Sequence, residues 1–294
     1  MTSAMPPPIA AGRERFVPVG KVAQLRHFQP VDHHWIPSLA WQPVLYSEMH
    51  LCAHYFPLAV QFRRGLPLLG IVLDERFLAR RLVAENGAWQ GGYLPTAVRV
   101  YPFQAAGTNT DPFEDLVVPA RTSFLKPQDG IPLSDAEGAP SEHLRMLHRL
   151  SRQLTVDRQR SKAALDHLSI ANLLVPILPP EGQHALPKDH WLTVDPQKFR
   201  ELDSGALAAM SRQRFASVDI AVALLFSQRL LRADCRHRSH VVPSQSGAAS
   251  RPVDLFGLED VVIDDGELLS HTDLEAAFRS LHSTLPDATE VDEA

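Results

Sequence analysis

Two apolar runs separated by a three-residue polar break predict a β-hairpin in the first third of the chain. The runs Tyr55–Phe62 and Leu66–Leu73 are rich in the aliphatic and aromatic residues that favour strands. The break Arg63–Gly65 ends on a glycine, which reaches the positive φ of a tight turn at little cost. Pro57 and Pro67 fall near the strand starts, where a missing N–H is tolerated.

The remaining sequence up to residue 120 also favours strands, with one helical interruption. Strands are predicted over Phe16–Val19, Ala97–Phe103 and Leu116–Pro119, which are rich in β-branched and aromatic residues. The segment Asp74–Glu85 instead has apolar residues at helical spacing and an aspartate at its start that can cap a helix. A short helix is therefore expected there.

Helical spacing dominates the second half of the chain. Ser141 precedes a long leucine-rich helical pattern, and Asp195 is followed by proline, the usual order at a helix start. Asp203 begins a further apolar pattern that runs to Leu230, and His190–Val194 is one more predicted strand. Because strands come early and helices late, the pattern predicts an α+β fold, a mostly antiparallel sheet covered by C-terminal helices.

The ends of the chain differ in composition from its centre. Residues 1–13 are rich in proline and alanine and are predicted to be disordered, and residues 14–239 are predicted to form one α+β domain. Residues 240–294 read as a linker and an acidic tail, in which the capping pattern Thr272–Glu275 opens a short amphipathic helix. Residues 251–294 carry 12 acidic side chains and 2 arginines, against an overall net charge of −5. The rest of the chain is too weakly basic to predict nucleic-acid binding.

Composition places the chain among ordinary globular proteins. It is 45% hydrophobic and 21% charged, and it has two cysteines, Cys52 and Cys235, without a motif spacing. We expect free buried thiols in a reducing compartment. The first residues lack a secretory pattern, and no apolar run approaches the roughly 18 residues that span a bilayer. The expectation is a cytoplasmic protein without membrane insertion.

The run from Trp89 to Phe103, WQGGYLPTAVRVYPF, is the most distinctive stretch. Its glycine pair allows a sharp turn, and the residues that follow favour an extended, half-buried segment that includes an arginine. Aromatic side chains beside a guanidinium can supply stacking and anion contacts to a ligand or partner. The candidate binding residues are Trp89, Tyr93, Arg99, Tyr101 and Phe103. Packing in the core or on an edge strand is the alternative for these side chains.

Histidines suggest a second class of function. His50 and His54 lie four residues apart, a spacing that on a helix can share a metal ion, and His33 and His34 are close in sequence. A metal-dependent, oxygenase-like enzyme that uses this cluster is the alternative function. The zincin pattern, however, needs glutamate directly after the first histidine, where this chain has Leu51. Packing or surface histidines are therefore favoured over a metal site.

The sequence contains none of the other common catalytic motifs. The chain has no nucleophile elbow, no P-loop and no dinucleotide fingerprint, so no cofactor is predicted. Arg145, Arg149 and Arg152 line one face of the predicted helix and can hold an anion or an acidic partner. A solvated face opposite the leucines is the simpler interpretation. The residues alone leave open whether the protein is an enzyme.

Several segments together resemble the SapC family. These are the hairpin Tyr55–Leu73, the segment GAWQGGYLP at 87–95 and the segment RVYPF at 99–103. The segment from His190 to Leu230 also resembles the family, with less specific motifs. The resemblance covers about residues 14–232. It implies a bacterial accessory or binding protein, non-catalytic, whose family is linked to surface-layer and outer-membrane uptake loci. A protein or peptide partner, or a small apolar ligand, would be bound. A surface-layer assembly factor that self-associates is a third alternative.

Overall fold

The computed structural model describes residues 15–236, apart from residues 64, 108, 181–189 and 212–214. The predicted disordered residues 1–13, the linker and the acidic tail lie outside the described residues. Antiparallel strands and helices confirm the predicted α+β class. The described strands are β1 (Phe16–Pro18), β2 (Arg26–His27), β3 (Trp41–Pro43), β4 (Leu58–Arg63), β5 (Leu66–Val72), β6 (Gln104–Ala105), β7 (Leu116–Pro119), β8 (Leu125–Lys126), β9 (Ile131–Pro132), β10 (Leu174–Pro176) and β11 (Trp191–Val194). The described helices are α1 (Met49–Tyr55), α2 (Thr96–Arg99), α3 (Pro112–Asp115), α4 (Glu142–Ile170), α5 (Pro196–Arg200), α6 (Ser204–Ser211) and α7 (Ala216–Ser227).

A five-stranded antiparallel sheet in the order β10-β11-β4-β5-β3 forms the main layer. The predicted hairpin is confirmed, because β4 pairs with β5 from Leu58 opposite Ile71 to Arg63 opposite Leu66. Gly65 has a φ of 77°, as the tight turn requires. The predicted first strand began too early, since Tyr55 still belongs to α1.

The other strands form two small antiparallel sheets, in the orders β1-β7-β6 and β8-β2-β9. The predicted strands around residues 16 and 116 pair with each other, with Phe16 opposite Pro119. The expected single sheet is therefore divided into three, because these strands find partners among themselves and not along the edge of the main sheet.

The long helix α4 packs against the five-stranded sheet and against the β1-β7-β6 sheet. Its start is the predicted one, where the Ser141 hydroxyl accepts a hydrogen bond from the Leu144 N–H at 3.2 Å. Leu144 and Leu154, in the first half of α4, belong to the hydrophobic core beside β7. Leu165 and Leu168, in its second half, belong to the core of the five-stranded sheet. One helix thus joins two cores.

The apolar pattern from Asp203 to Leu230 is divided between α6 and α7. The predicted cap is present, since Asp203 accepts a hydrogen bond from the Ala206 N–H at 2.7 Å. A single continuous helix is wrong, because Phe215 takes a φ of 62° directly before α7. Within the described residues, no helix combines the length and the apolar character needed to cross a bilayer.

The predicted helix over Asp74–Glu85 is wrong beyond its first turn. Asp74 accepts a hydrogen bond from the Arg76 N–H, but only a 3-10 turn over residues 75–77 follows. Glu75 then accepts hydrogen bonds from the Leu82 N–H at 3.0 Å and the Val83 N–H at 3.3 Å. The backbone of residues 78 and 79 pairs with residues 230 and 231, so partners distant in sequence replace the helical hydrogen bonds.

Candidate functional site

A cavity of about 400 Å³ lies where the two cores meet along α4. Its walls come from β3, from the end of β4, from β5, from the segment 97–105 and from one face of α4. Eight of the lining residues are apolar or aromatic and six are polar. The polar ones are Gln42, Arg63, Gln104, Ser151, Thr155 and Arg158. Because Arg63 and Gln104 are exposed, the cavity is open to solvent.

Four residues of α4 reach the cavity because helical spacing places them on one face. Ser151, Leu154, Thr155 and Arg158 follow the helical spacing i, i+3, i+4 and i+7 and all line it. Ser151 is only 2% exposed, and its hydroxyl oxygen has no hydrogen-bond partner among the described residues. The buried Nε of Arg158 likewise has none there. Two polar groups of this face are therefore left unsatisfied.

Arg63 approaches the same cavity from the last position of β4. Its Nε donates a hydrogen bond to the Gln61 side chain at 2.8 Å, and its guanidinium carbon lies 4.9 Å from the Trp41 ring centroid. Both contacts hold the guanidinium in place. In the part of the chain that the structure describes, neither Arg63 nor Arg158 forms an ion pair with a carboxylate.

The two guanidinium groups give the cavity a positive potential. Partial burial lowers the pKa of Arg63, and burial together with the nearby charge of Arg63 lowers the pKa of Arg158. No aspartate or glutamate is among the residues that line the cavity. Both arginines remain charged near neutral pH, so an anion is the species this potential favours.

Another part of the lining is aromatic. Tyr101 stacks on Trp35 with ring centroids 5.5 Å apart, and it meets the Phe124 ring edge-on at 5.0 Å. Phe103 is 2% exposed and lies 4.9 Å from the His27 ring. These contacts fix both rings, so the cavity combines a rigid apolar wall with two cationic groups.

The segment before these aromatics is built around the buried side chain of Glu48. One of its carboxylate oxygens accepts hydrogen bonds from the Tyr93 hydroxyl at 2.8 Å and from the N–H and hydroxyl of Thr96 at 3.1 and 2.9 Å. The other accepts from the Leu45 N–H at 3.1 Å. The predicted strand over 97–103 is therefore wrong. Glu48 satisfies the first N–H of α2, and a helical turn forms after Pro95.

Arg99 extends this network toward solvent. Its Nη2 donates to the Thr96 hydroxyl at 2.8 Å and lies 3.4 Å from the Tyr93 hydroxyl. Trp89 stacks on Phe56, and its indole N–H donates to the Tyr93 carbonyl at 3.1 Å. Of the five candidate binding residues, Tyr93 and Arg99 thus belong to the network around Glu48, and Trp89 is linked to it through the Tyr93 carbonyl. Only Tyr101 and Phe103 line the cavity.

The glycine pair in this segment is required by close packing. A Cβ on Gly91 would overlap the Trp89 ring, and one on Gly92 would overlap the Tyr55 ring. Gly92 also has a φ of 68°, which side chains rarely adopt. The predicted sharp turn is confirmed, since the Tyr93 N–H donates to the Gly91 carbonyl oxygen at 2.7 Å.

The four histidines of the alternative metal site have separate contacts. His33 lies 3.2 Å from the Gly87 carbonyl oxygen, and the exposed His34 lies 3.6 Å from Asp32. His54 packs edge-on against Phe226, and His50 is exposed on α1. Among the described residues, no group of three or more His, Cys, Asp or Glu side chains could hold a metal ion.

Comparison with known families identifies the chain's relatives. A family model described as SapC matches residues 23–233. The chain belongs to the SapC family. No curated protein and no solved structure matches it. The matched region of this SapC protein contains the whole cavity and the Glu48 network.

Sequence reasoning missed the two arginines of the SapC cavity. It considered Arg145, Arg149 and Arg152 for anion binding, but all three are exposed, and the first two lie 3.3 and 3.5 Å from Glu142. The one available signal was that Arg158 shares a helical face with the buried Leu154. Nothing in the sequence showed that Arg63, at the end of a hairpin strand, reaches the same place.

Proposed function

We propose that this SapC protein is a cytoplasmic accessory protein that binds a small ligand in the cavity along α4 and does not transform it. The single observation that carries the proposal is the cavity itself. Its volume of about 400 Å³ falls in the range of small-molecule sites. Its lining combines apolar and aromatic side chains with several convergent polar groups, as small-molecule sites do.

The polar groups of the cavity are suited to holding a ligand. They are two guanidiniums, two carboxamides, the hydroxyls of Ser151 and Thr155, and the phenol of Tyr101. Guanidinium and carboxamide groups orient a ligand by hydrogen bonding and do not exchange protons near neutral pH. The side chains most used as general bases, histidine and carboxylate, are not among the lining residues. Binding is therefore better supported than catalysis.

Two of the five predicted binding residues fit this proposal directly. Tyr101 and Phe103 would pack against the ligand from the cavity wall. Trp89, Tyr93 and Arg99 would act indirectly, since the network around Glu48 determines where the following segment lies. Contact of these three with a ligand stays a prediction, as do a protein or peptide partner and a link to surface-layer or outer-membrane uptake loci.

A cavity-filling substitution tests the proposal. Thr155→Phe would place a ring into the cavity from α4, and the matched control Val156→Phe adds the same ring at the next residue, which is 46% exposed and does not line the cavity. Ligand-observed NMR with a collection of neutral and acidic aromatic fragments provides the measurement. We expect fragments that bind the full-length wild type and Val156→Phe but not Thr155→Phe. Fragments that bind all three proteins equally, or none of them, would contradict the proposal.

A further inference from the structure

We infer that the ligand of the cavity is an amphipathic organic oxyanion, whose charged end lies between Arg63 and Arg158 and whose apolar body packs on Tyr101 and Phe103. This inference rests on the proposed small-ligand function and names its chemical class. A carboxylate and a phosphate monoester share the chemistry that these groups recognise.

The first argument is the uncompensated charge. Arg63 and Arg158 line one cavity with no acidic residue in its lining. Other arginines of α4 do have acidic neighbours, as when Arg160 lies 3.5 Å from Asp157. Two guanidiniums held near each other without a counter-charge repel, so an anion between them removes an unfavourable interaction in addition to forming hydrogen bonds.

The second argument is the set of unsatisfied polar atoms. The Arg158 Nε–H and the Ser151 hydroxyl are buried and have no hydrogen-bond partner among the described residues. Buried polar groups are nearly always hydrogen-bonded, and exceptions call for a ligand or an ordered water. An oxyanion accepts several hydrogen bonds at once, and a guanidinium can donate two of them in parallel.

The third argument is the size of the remaining space and the apolar side chains that border part of it. An inorganic anion would occupy only a small part of a cavity of about 400 Å³. The rest faces Leu68 and Leu154 as well as the two aromatic rings. Burying an aromatic or aliphatic body against these side chains removes apolar surface from water. The structure therefore favours an organic acid over a free ion.

Calorimetric titration of the full-length protein with matched probes tests the inference. The probes are 4-phenylbutyrate, its neutral amide 4-phenylbutanamide, 2-phenylethyl phosphate and inorganic phosphate. We expect at least one of the two organic anions to bind about tenfold or more tightly than the amide and than inorganic phosphate. The stronger of the two organic anions identifies the headgroup.

Three charge-removing variants assign the binding to the arginines. Arg63→Gln and Arg158→Gln should each weaken the preferred anion about tenfold and leave the amide unchanged. Arg152→Gln is the matched control, because Arg152 is exposed on the same helix and does not line the cavity. Arg158→Lys, which keeps the charge, should retain part of the affinity. Circular dichroism shows whether each variant is folded.

The outcomes separate this inference from the proposed function. Suppose that the amide binds as tightly as the acids and that Thr155→Phe abolishes its binding. The small-ligand function then stands, and the inference that the ligand is an oxyanion is wrong. Inorganic phosphate binding as tightly as the organic anions would overturn the apolar half. An equal loss of anion affinity in Arg152→Gln would mean non-specific electrostatic attraction and would overturn the assignment of the charged end to Arg63 and Arg158. If no probe binds at millimolar concentration, the oxyanion inference is wrong, and the fragment experiment with Thr155→Phe decides separately whether the small-ligand function stands.

Discussion

The buried carboxylate of Glu48 accepts two hydrogen bonds from Thr96, one from its N–H at 3.1 Å and one from its hydroxyl at 2.9 Å. Together with the Tyr93 hydroxyl, these donors converge on one oxygen. The contact joins the residues before α1 to the first turn of α2. It therefore fixes the start of the segment that carries Tyr101 and Phe103 to the cavity.

Glu48→Gln should destabilise the protein by about 2 to 3 kcal/mol, because a neutral amide replaces a carboxylate that accepts hydrogen bonds from several buried donors. The amide NH₂ would also face donors at one of the two oxygen positions. Urea unfolding followed by fluorescence measures the change. Glu142→Gln is the control, since Glu142 is 77% exposed and its loss should change stability by less than about 0.5 kcal/mol. Equal stability of the two variants would show that the network contributes little.

Local signals in the sequence were sufficient for some elements of the fold. The hairpin needs only two apolar runs and Gly65, and the start of α4 needs only Ser141 three residues before Leu144. These determinants lie within a few residues of each other, so a single sequence displays them. Other predictions failed where a distant residue decides. The strand expected over 97–103 became a helical turn because Glu48 binds its start.

The cavity was beyond prediction for the same reason. Arg63 and Arg158 belong to a hairpin and to a helix far apart in the chain, and only the packing of α4 beside β5 brings them together. The aromatic motif was more informative, because Tyr101 and Phe103 do reach the cavity. Its arginine, Arg99, was a reasonable candidate because it is a charged residue within an apolar segment. The structure gives Arg99 the Thr96 hydroxyl as its partner.

Arg158→Met should stabilise the ligand-free protein by about 1 kcal/mol. The substitution removes a partly buried charge that lies near Arg63 and an Nε–H without a partner, and it keeps much of the side-chain volume. Thermal unfolding measures the change, with Arg152→Met as the exposed control, expected to stay within about 0.5 kcal/mol of the wild type. A clear loss of stability in Arg158→Met would mean that this arginine serves the fold and is not held in place for a ligand.

Gly70→Ala should destabilise the protein by about 3 kcal/mol, because a Cβ at this position in β5 would overlap the Trp41 ring and the Gln42 carbonyl oxygen. Gly205→Ala is the matched control in α6, where the added methyl meets only the Asp203 side chain at 3.2 Å. A helical alanine there should be neutral or stabilising by up to about 1 kcal/mol. Chemical denaturation measures the free energy of unfolding of both variants. A Gly70→Ala protein as stable as Gly205→Ala would refute the close contact of Trp41 in β3 with Gly70 in β5.

Cys52 and Cys235 should resist thiol reagents in the native protein at pH 8. Both are free and buried, which confirms the sequence prediction. Burial raises the pKa of both thiols, that of Cys235 to about 11, so little of the reactive thiolate is present. Ellman's reagent should label neither cysteine in buffer and both in guanidinium chloride. Fast labelling of either residue in the folded protein would contradict the burial that the structure shows.

The histidine pair His27 and His143 should make stability depend on pH. His27 Nδ1 lies 2.8 Å from His143 Nε2, so one ring donates to the other and the pair favours at least one neutral imidazole. Burial and the neighbouring His143 lower the pKa of His27 to about 4, against an ordinary 6.5, although a backbone contact to Tyr101 acts in the opposite direction. Burial also lowers the pKa of His143.

The sign follows from which state binds the proton. Between pH 6.5 and about 4 the unfolded chain protonates His27 while the folded protein does not, so folding stability falls as the pH is lowered through this window. The full effect is roughly 3 kcal/mol. His27→Gln should remove most of this slope, and His34→Gln, at an exposed histidine, should leave it unchanged. Urea unfolding at a series of pH values from 7 to 4 measures this slope. If the stability of the wild type and that of His27→Gln changed equally with pH, the buried pair would not be the source of the pH dependence in this range.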